Sequence, residues 1–398
     1  MKTRIALIQN NLSPYRIPLF EKIGQTANVD FTLYLMAPDK PSYPTWKFDF
    51  DTLPFRAVVV PGWRIVKRNL VQICINPALL THLLRERPQA VICCGFSIST
   101  LFVTLYHLLT GASMVVWMEA TLVTEGAQGL KGLRGLVRRL LARQVAGFVD
   151  AGRLSRDYIR SLLPETSDKP IRTSYNCVDT GLLQRDCERF RNSGDEWGRF
   201  RSRFPERVIL FSGQLIERKG VREMIEVYQR VTARAKERVG LILLGDGNLR
   251  PEIERLKTEK GLEDLFIEGF IEPRDYPKYF AVADLFLLLS LSDPNPLVVF
   301  EAQSCGLPLI CSDRAGNAPD FVRDGVNGYV VDPTDIEGVT GKVLAVLGNP
   351  GISEMGKESR AMVQKANYGD SAKAFVDIVQ DVLEARGSGA GISSASRL

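Results

Sequence analysis

The sequence predicts an α/β protein built from two Rossmann-like, doubly wound domains. With 398 residues the chain is too long for one ordinary hydrophobic core and suits two domains. Each half alternates short apolar segments with longer segments of helical periodicity, which is the pattern of a parallel sheet covered by helices. Hydrophobic residues make up 45% of the chain and charged residues 24%, as in a globular protein.

The first domain is predicted to span residues 1–178. Its strand candidates are short and apolar: RIALIQ, FTLYLM, AVVV, AVICC, SMVVWM and GFVDA. Helix candidates lie between them: PLFEKIGQT, PALLTHLLRERP and the segment from Leu101 to Leu109. The stretch from Pro88 to Met118 has no Asp, Glu, Lys or Arg and by length alone could span a bilayer. Gly95 and the Thr110-Gly111 pair divide this stretch, so we interpret it as buried strand, helix and buried strand.

A charged, irregular stretch over residues 179–206 is predicted to be a linker, and the second domain to span 207–365. Strand candidates are RVILFSG, VGLILLG, LFIEG, DLFLLLS and LPLICS; helix candidates are VREMIEVYQRVTARAKE, RPEIERLKTEKG and PLVVFEAQSCG. Residues 366–386 are predicted to form a C-terminal helix that could return to the first domain. Residues 387–398 are small and polar, which predicts a disordered tail. In such folds, ligands bind at the carboxyl ends of the strands, here in a cleft that the two domains face.

Charge and cysteine content limit the partners and the compartment. A formal net charge of +5 permits anionic partners such as diphosphates or lipid headgroups but does not resemble a nucleic-acid-binding surface. The seven cysteines form no C-x-x-C pair and several lie in apolar runs, which indicates reduced thiols and a cytoplasmic protein. His82 and His107 are the only histidines, which argues against an all-protein zinc site.

Two segments of the second domain suggest an anion site. GQLIERKG follows a strand, contains Arg218 and Lys219 and ends at Gly220 before a helix; glycine allows close backbone approach, and a helix N-terminus favours anions. In SDPNPLVVFEAQSCGLP, Asn295 is a good N-cap and Pro296 suits the first helical position. Asp293 and Glu301 have seven residues between them. Spacing alone leaves open a capping Asp and a solvated Glu.

The order of these segments resembles the C-terminal domain of family 4 glycosyltransferases, which are retaining enzymes with the GT-B fold. GQLIERKG is similar to that family's glycine-arginine-leucine…lysine-glycine loop. LILLGDGNLRPEIE, FIEGFIE, YFAVADLFLLLS, FEAQSCGLPLICS and APDFVRDGVNGYVVDP match its later landmarks in order and spacing. SYNCVDT, at 174–180, resembles the segment that closes the N-terminal domain. The resemblance covers nearly the whole chain and is strongest in the second half.

The resemblance implies a nucleotide diphosphate sugar as donor, retention of anomeric configuration, and no cofactor or obligatory metal. Lys219, helped by Arg218, would hold the diphosphate, and Glu301 the ribose. Asp293 would face the transferred sugar. The remaining donor-site candidates are Gln214 and the four residues at the helix start: Asn295, Pro296, Leu297 and Val298. The acceptor would be a glycan or a lipid-linked molecule.

Three departures from the family pattern qualify this assignment. Gln214 stands where the family usually has an arginine, and Asp293 replaces the usual first glutamate. NLSPYRIPLF, at 11–20, replaces the glycine-rich loop after the first strand and is similar to a proline-tyrosine-arginine form found in a bacterial subgroup of the family. Its Ser13, Tyr15 and Arg16 are candidates for the acceptor or diphosphate side. Arg16 either replaces the charge lost at Gln214 or is a surface arginine at a helix start.

Glu119 is a further candidate for catalysis. It follows the strand SMVVWM, where the family often has a histidine. A carboxylate at this place could bind a sugar hydroxyl or stabilise positive charge at the anomeric carbon, or it could only cap nearby amides. We favour a catalytic role because these folds build their sites at strand ends.

Three other functions are weighed against a retaining transferase. The first is a dinucleotide-dependent oxidoreductase. GDGNLR, at 245–250, resembles the start of the dinucleotide-binding motif but has Arg250 at the third glycine position. DFD, at 49–51, could bind the metal of a GT-A transferase, but no clear buried strand precedes it. A catalytically inactive nucleotide-sugar binding module is compatible with Gln214 and Asp293.

The segment 129–143, GLKGLRGLVRRLLAR, predicts a basic amphipathic helix. Its apolar stripe comprises Leu130, Leu133, Leu136, Val137, Leu140 and Leu141, and its cations are Lys131, Arg134, Arg138, Arg139 and Arg143. The stripe could bind the surface of an anionic membrane, or it could pack on the domain's own sheet.

Overall fold

The computed structural model describes residues 2–37, 49–66, 72–125 and 131–388. The chain forms two compact units. The first unit contains the chain up to Cys177 together with the chain from Tyr368 onward, and the second runs from Val178 to Asn367. Each unit is an α/β domain around a sheet whose paired strands are parallel, as the sequence predicts.

The first unit is built on a seven-stranded parallel sheet with strand order β3-β2-β1-β6-β7-β8-β9. Its strands, with the separate hairpin β4–β5, are β1 (Thr3–Gln9), β2 (Val29–Leu35), β3 (Arg56–Val59), β4 (Trp63–Val66), β5 (Gln72–Ile75), β6 (Ala90–Cys94), β7 (Ser113–Met118), β8 (Gly147–Asp150) and β9 (Ile171–Thr173). β7 lies inside the sheet and is buried along its whole length, which explains its lack of alternating polar residues.

Among the described residues of the first part of the chain, the α-helices are α1 (Ile17–Gly24), α2 (Ala78–Glu86), α3 (Ile98–Thr110), α4 (Leu122–Glu125), α5 (Gly132–Gln144) and α6 (Arg153–Leu162). Polar groups fix the start of α3, where the backbone N–H of Ser97 donates to Thr100 Oγ1 at 3.0 Å. Gly111, in the left-handed region at φ 69°, ends it. The uncharged stretch from Pro88 to Met118 is therefore strand, helix and strand. No helix among the described residues has the length and apolarity needed to cross a membrane.

The amphipathic helix α5 packs with its apolar stripe outward. Gly135, Arg138 and Ala142 form its buried side. Leu133 is 77% exposed, and Leu136, Val137 and Leu140 are exposed as well. The alternative in which these side chains pack on the sheet is therefore wrong, because Gly135, Arg138 and Ala142 occupy the inward face. Leu141 is half-buried, and the cations of the helix other than Arg138 are exposed. Gly129 and Leu130 lie outside the described residues.

The second unit contains a six-stranded parallel sheet with strand order β12-β11-β10-β13-β14-β15. Its strands are β10 (Arg207–Ser212), β11 (Val239–Leu244), β12 (Leu265–Gly269), β13 (Leu285–Leu288), β14 (Leu309–Ser312) and β15 (Gly328–Val331). The helices are α7 (Thr180–Arg191), α8 (Asp195–Arg201), α9 (Val221–Arg234), α10 (Arg250–Glu259), α11 (Tyr276–Val282), α12 (Val298–Ser304), α13 (Ala318–Phe321), α14 (Ile336–Leu347) and α15 (Ile352–Val363).

The stretch 179–206 is not irregular, because it forms α7 and α8 and belongs to the second unit. Asp179 caps α7 by accepting from Leu182 N at 2.8 Å. Phe190 packs edge-on against Trp197 and Phe200, with ring centroids 5.7 and 5.5 Å apart. The segment thus has an apolar face that packs inward, although its many charged residues make this face hard to recognise in the sequence.

The C-terminal helix α16 (Tyr368–Gly387) belongs to the first unit. Phe375 is fully buried and meets Trp117 edge-on, with ring centroids 4.9 Å apart. α1 and α16 cover one face of the first sheet, while α2, α3, α5 and α6 contribute to the core on the opposite face. Both faces of this sheet are therefore covered by helices.

Candidate functional site

In each unit the strand order reverses between two neighbouring parallel strands. This happens between β1 and β6 in the first unit and between β10 and β13 in the second. Open α/β sheets bind their ligands at such points because the loops on either side separate and leave a crevice. Most of the predicted site residues lie at or next to these two places.

A buried polar cluster lies at the reversal point of the first unit. Arg16 Nη2 donates to both carboxylate oxygens of Glu119, at 2.7 and 2.8 Å, and Arg16 Nη1 donates to Gln9 Oε1 at 2.9 Å. Asn176 Nδ2 donates to Glu119 Oε1 at 2.6 Å. Gln9 ends β1, Glu119 follows β7, and Asn176 follows β9. The sheet therefore brings together residues that are far apart in sequence.

Arg16 is not the surface arginine that one interpretation of the sequence expected. Only 8% of it is exposed, and its guanidinium carbon lies 4.5 Å from the centre of the Trp117 ring. Burial by itself would lower the pKa of the guanidinium, but the adjacent Glu119 carboxylate raises it above its ordinary value. The charge of Arg16 is thus maintained and balanced inside the first unit, and the contacts of Nη2 with both carboxylate oxygens orient Glu119.

Ser13 and Tyr15 hold the turn that carries Arg16. Ser13 is buried, and its carbonyl accepts from the backbone N–H of Arg16 at 2.9 Å. The carbonyl of Tyr15 accepts from the Tyr368 hydroxyl at 3.1 Å. The two residues thus help to position the turn through their backbone carbonyls.

A cavity of about 220 Å³ lies at the ends of β6 and β7, next to Glu119. Its wall includes Phe96, Trp117, Glu125, Arg138 and Tyr158. Arg138, on the inward face of α5, contacts Glu125 at 2.7 Å and donates to the Tyr158 hydroxyl at 2.9 Å. Arg138 is therefore a wall residue of this cavity, although the sequence pattern grouped it with the surface cations of the helix.

In the second unit, the loop after β10 packs tightly against the loop after β13. Gly220 has a left-handed backbone at φ 66°, and a β-carbon there would overlap the carbonyl oxygen of Leu289. The carbonyl of Arg218 accepts from Leu291 N at 2.8 Å. Glycines 245 and 247 approach the carbonyls of Gly213 and Leu215 in the same way. The glycines of GDGNLR thus allow close contact between the loops after β10 and β11, which accounts for them without a dinucleotide ligand.

Lys219 and Asp293 form a buried ion pair where these two loops meet. The Lys219 ammonium donates to Asp293 Oδ2, and both residues are almost fully buried. The backbone of Asp293 is also fixed, since its carbonyl accepts from Gly316 N at 2.9 Å. Gln214 and Arg218, the other predicted donor residues of the first loop, have exposed side chains. One charge of the predicted diphosphate site is therefore compensated within the protein, while Arg218 remains accessible.

Glu301 lies on the first turn of α12 and accepts a hydrogen bond from the Tyr276 hydroxyl, 2.6 Å from Glu301 Oε2. The same hydroxyl lies 2.9 Å from Ser212 Oγ at the end of β10. Burial raises the pKa of the Glu301 carboxyl above its ordinary value, although the Tyr276 hydrogen bond opposes this shift. The alternative of a fully solvated helical Glu does not fit this environment.

The start of α12 differs from the sequence prediction. The helix begins at Val298 with Leu297 as its N-cap, and Asn295 does not cap it. Both polar side-chain atoms of Asn295 are buried without a hydrogen-bond partner among the described residues. Pro296 has no backbone N–H, and its carbonyl accepts from Asn317 Nδ2 at 2.9 Å. Only the amides of Asn295, Leu297 and Val298 can therefore serve as backbone donors here.

Sequence reasoning missed Gln9, Asn176 and Tyr276. Gln9 lies in the predicted strand RIALIQ, and Asn176 lies in the segment SYNCVDT. Gln9 is the last residue of β1, and Asn176 comes shortly after β9. Position at the end of a strand is also the feature that identified Glu119 as a candidate. Tyr276 gave no such signal, because its contact with Glu301 joins two helices that are separated in the sequence by β13.

Comparison with known proteins relates the second unit to sugar-transferring enzymes. Residues 198–369, less than half of the chain, match the sequence model of the family described as "Glycosyl transferases group 1". The alpha-D-kanosaminyltransferase of Streptomyces kanamyceticus is 29% identical over 166 residues, which are 42% of each chain. A GDP-mannose-dependent phosphatidylinositol monomannoside mannosyltransferase of Mycolicibacterium smegmatis is 28% identical over 177 residues, 42% of this chain and 46% of that protein. The chain thus matches less than half the length of these relatives.

Solved structures extend the likeness to both units. Anabaena HepE in complex with UDP superposes with a TM-score of 0.71 at 17% identity, covering 98% of this chain and all of that one. A sucrose-phosphate synthase from Thermosynechococcus elongatus gives a TM-score of 0.69 at 17% identity, covering 96% of this chain and 100% of that one. The fold of the chain is GT-B, as the sequence predicts.

Proposed function

We propose that this protein is a retaining glycosyltransferase that moves a hexose-type sugar from a UDP or GDP donor to a hydroxyl of a glycan or lipid-linked acceptor, in cell-surface polysaccharide synthesis. The observation that carries the proposal is the pair of loops after β10 and β13, which hold Lys219 and Asp293, together with Glu301 on α12, all within the segment that matches the glycosyltransferase family model. The complex of HepE with UDP gives a precedent for a nucleotide ligand in this fold.

The donor would bind with its diphosphate at Lys219 and Arg218. An ammonium group has three N–H donors, so Lys219 can keep its contact with Asp293 and still donate to phosphate oxygens. The free amides at the start of α12 would add further donors. Tyr276 occupies one oxygen of Glu301, and the other oxygen would accept from a ribose hydroxyl. The donor site would therefore be assembled from groups that the loops already hold in place.

Transfer would proceed by front-face displacement, in which a leaving phosphate oxygen accepts the acceptor's proton. The protein would contribute by positioning the reactants and by stabilising negative charge on the departing diphosphate. Lys219 and Arg218 supply that positive charge. Asp293 would contact the transferred sugar. Glu119, fixed by Arg16 and Asn176, would bind a sugar hydroxyl or stabilise positive charge at the anomeric carbon. The reaction would need no metal ion.

Titration calorimetry with UDP, GDP, ADP and CMP tests donor binding. We expect one of the two diphosphates UDP and GDP to bind most tightly, and CMP, with a single phosphate, to bind weakly. Binding that is equal for all four nucleotides would contradict a diphosphate site. Adding EDTA should leave the affinity unchanged.

A second function, a nucleotide-sugar binding module without catalysis, is favoured by the uncharged Gln214 and by the pairing of Lys219 with Asp293. A panel of UDP- and GDP-sugars distinguishes the two. An enzyme releases free UDP or GDP by transfer or by slow hydrolysis, while a binding module releases neither.

We also propose a peripheral contact between α5 and an anionic membrane at the cytoplasmic face. The exposed Leu133, Leu136, Val137 and Leu140 lie on one side of the helix, and Arg134, Arg139 and Arg143 are exposed beside them. Each cation near an anionic surface contributes about 1 kcal/mol. Sedimentation with vesicles tests this: binding should require anionic lipid and weaken at high salt. Equal binding to neutral vesicles would contradict the electrostatic contact.

A further inference from the structure

Helix α3 exposes an uninterrupted row of leucines on one side. Leu101, Leu105, Leu108 and Leu109 are 49%, 43%, 66% and 61% exposed. They follow the i, i+4, i+7, i+8 spacing of a single helix face. The opposite side, which packs on the sheet, includes the polar Ser99 and Thr100 besides Val103 and Tyr106. The outer face of α3 is thus more uniformly apolar than its buried face.

Single exposed leucines are ordinary, but a contiguous apolar face is not. The segment from Pro88 to Met118 contains no charged residue that could interrupt this face. Its exposure is also not a consequence of poor packing, because Val103 and Tyr106 are fully buried against the sheet. The leucine row is therefore a feature of a well-packed helix, which leaves it available for a partner.

α3 and α5 belong to the same helical layer of the first unit. Val103 and Tyr106 of α3 and Ala142 of α5 are part of one core on one face of the sheet. The outer side of this layer carries two leucine rows, one without charge and one accompanied by arginines. Neither residues 88–118 nor residues 131–144 contain an Asp or Glu. The two helices therefore contribute only apolar and positive groups. Glu125 of α4 pairs with Arg134 and Arg138 of α5, while Arg139 and Arg143 are exposed on the outer side.

We propose that the leucine face of α3, residues 101, 105, 108 and 109, inserts into the apolar region of an anionic bilayer while α5 holds the lipid headgroups. The proposal rests on the membrane contact proposed for α5 and adds a second, hydrophobic component to it. Charge decides between a bilayer and a second copy of the chain. Anionic headgroups complement the arginines of α5, whereas a symmetric dimer through this layer would bring like charges together.

The test compares three variants with the wild-type chain in sedimentation with vesicles of phosphatidylcholine containing phosphatidylglycerol. Leu105→Gln/Leu108→Gln changes the α3 face, and Arg139→Gln/Arg143→Gln changes α5. Leu182→Gln, on α7 in the second unit and 48% exposed, is the matched control. All substituted side chains are exposed, so thermal unfolding should be unchanged in each case.

The leucine double variant should bind the vesicles at least tenfold more weakly, a change of about 1.4 kcal/mol. Its binding should depend on salt as steeply as that of the wild type, because its charges are intact. The arginine double variant should instead show a shallower salt dependence, and Leu182→Gln should bind like the wild type. Unchanged binding by the leucine variant overturns the insertion of α3, while the arginine variant separately tests α5.

Analytical ultracentrifugation without vesicles tests whether a second copy of the chain binds the α3 face instead. We expect the wild-type chain and the leucine variant to sediment with the same molecular mass. A wild-type dimer that the two leucine substitutions dissociate would identify the α3 face as a protein interface and would overturn the proposal. Release of nucleotide from a donor sugar in solution should be equal in all variants, so the transferase proposal is tested independently.

Discussion

The candidate site depends on two charged pairs, of which Lys219–Asp293 is buried on both sides, while in the other Arg16 is buried and Glu119 is partly exposed. Lys219 faces Asp293 and Arg16 faces Glu119, and each pair joins segments distant in sequence. Removing one member of a buried pair leaves the other charge uncompensated, which typically costs about 3–5 kcal/mol of stability. Mutational effects at these positions therefore combine folding and function, and each experiment must separate the two.

Lys219→Ala and Glu301→Ala should each weaken donor binding or lower turnover at least tenfold, about 1.4 kcal/mol. The first change removes a cation from the proposed diphosphate site, and the second removes the proposed acceptor for the ribose. Calorimetry with the preferred nucleotide, together with thermal unfolding, measures both effects. Lys260→Ala, at an exposed lysine in the same unit, is the control. A folded Lys219→Ala protein with normal activity would refute the donor-site assignment.

Glu301→Gln should change how stability depends on pH. Because burial raises the pKa of Glu301 in the folded protein, the folded state retains a proton that the unfolded chain releases near its ordinary pKa of about 4.3. The unfolding free energy of the wild type should therefore fall, relative to that of the variant, as the pH rises from the unfolded pKa through the folded one, because the amide of the variant does not titrate. Urea unfolding of both proteins between about pH 4 and pH 7 measures this difference. A difference that stays constant with pH would contradict the burial of the carboxyl group.

Arg16 and Gln214 can be tested as a pair. If Arg16 provides the charge that Gln214 lacks, Gln214→Arg should partly restore the donor affinity lost in Arg16→Ala. Both single variants and the double variant form a mutant cycle, and a coupling of about 1 kcal/mol would indicate a shared ligand. The alternative is that Arg16 serves only to orient Glu119. Strict additivity of the two changes would favour that role.

At the scale of elements, the strands were the most predictable part of the chain. AVICC and SMVVWM coincide with β6 and β7, because central strands of a parallel sheet are apolar on both faces. α7 was missed because its buried Cys187 and Phe190 stand among many charges, and α8 was missed because none of its residues is fully buried. The start of α12 was placed at Pro296 instead of Val298, since the tertiary contact of Asn317 with Pro296 was not visible in the sequence.

The orientation of α5 shows a second limit of the sequence. A periodic pattern identifies which residues share a face, but it does not say whether that face turns toward the sheet. Here the inward face consists of Gly135, Arg138 and Ala142. Arg138 is accommodated there because it contacts Glu125 and donates to the Tyr158 hydroxyl. The site residues follow the same rule, since the sequence indicated Lys219, Asp293, Arg16 and Glu119 one by one, while their pairing emerged only from the fold.

Gly220→Ala should destabilise the second unit by at least about 2 kcal/mol. The left-handed backbone at Gly220 disfavours a side chain, and a β-carbon would overlap the Leu289 carbonyl, separating the two loops of the donor site. Gly198→Ala is the matched control, because a β-carbon there meets no atom within 4 Å. In helix α8 that change should stabilise by about 0.4–1 kcal/mol. Equal unfolding midpoints for the two variants would argue against the close approach of the loops.

At the scale of the whole molecule, the chain is two compact units of which only the second is continuous in sequence. The first unit includes α16, whose Phe375, Ile378, Val379 and Val382 are buried in its core. Burying an apolar side chain of this size contributes about 1.5–3 kcal/mol, and a domain has only about 5–15 kcal/mol of net stability. The first unit should therefore need α16, while the second should not.

Three fragments test this organisation. Residues 178–367 should unfold cooperatively in urea and bind the nucleotide preferred by the full chain, because all donor-site candidates except the Arg16 segment lie within this unit. Residues 1–177 should show no cooperative transition, because Trp117 loses Phe375 and one face of the sheet loses a covering helix. Joining 1–177 to 368–388 through a glycine-serine linker should restore cooperative unfolding. A cooperative transition in 1–177 alone would mean that α16 is an addition to the first unit and not part of its core.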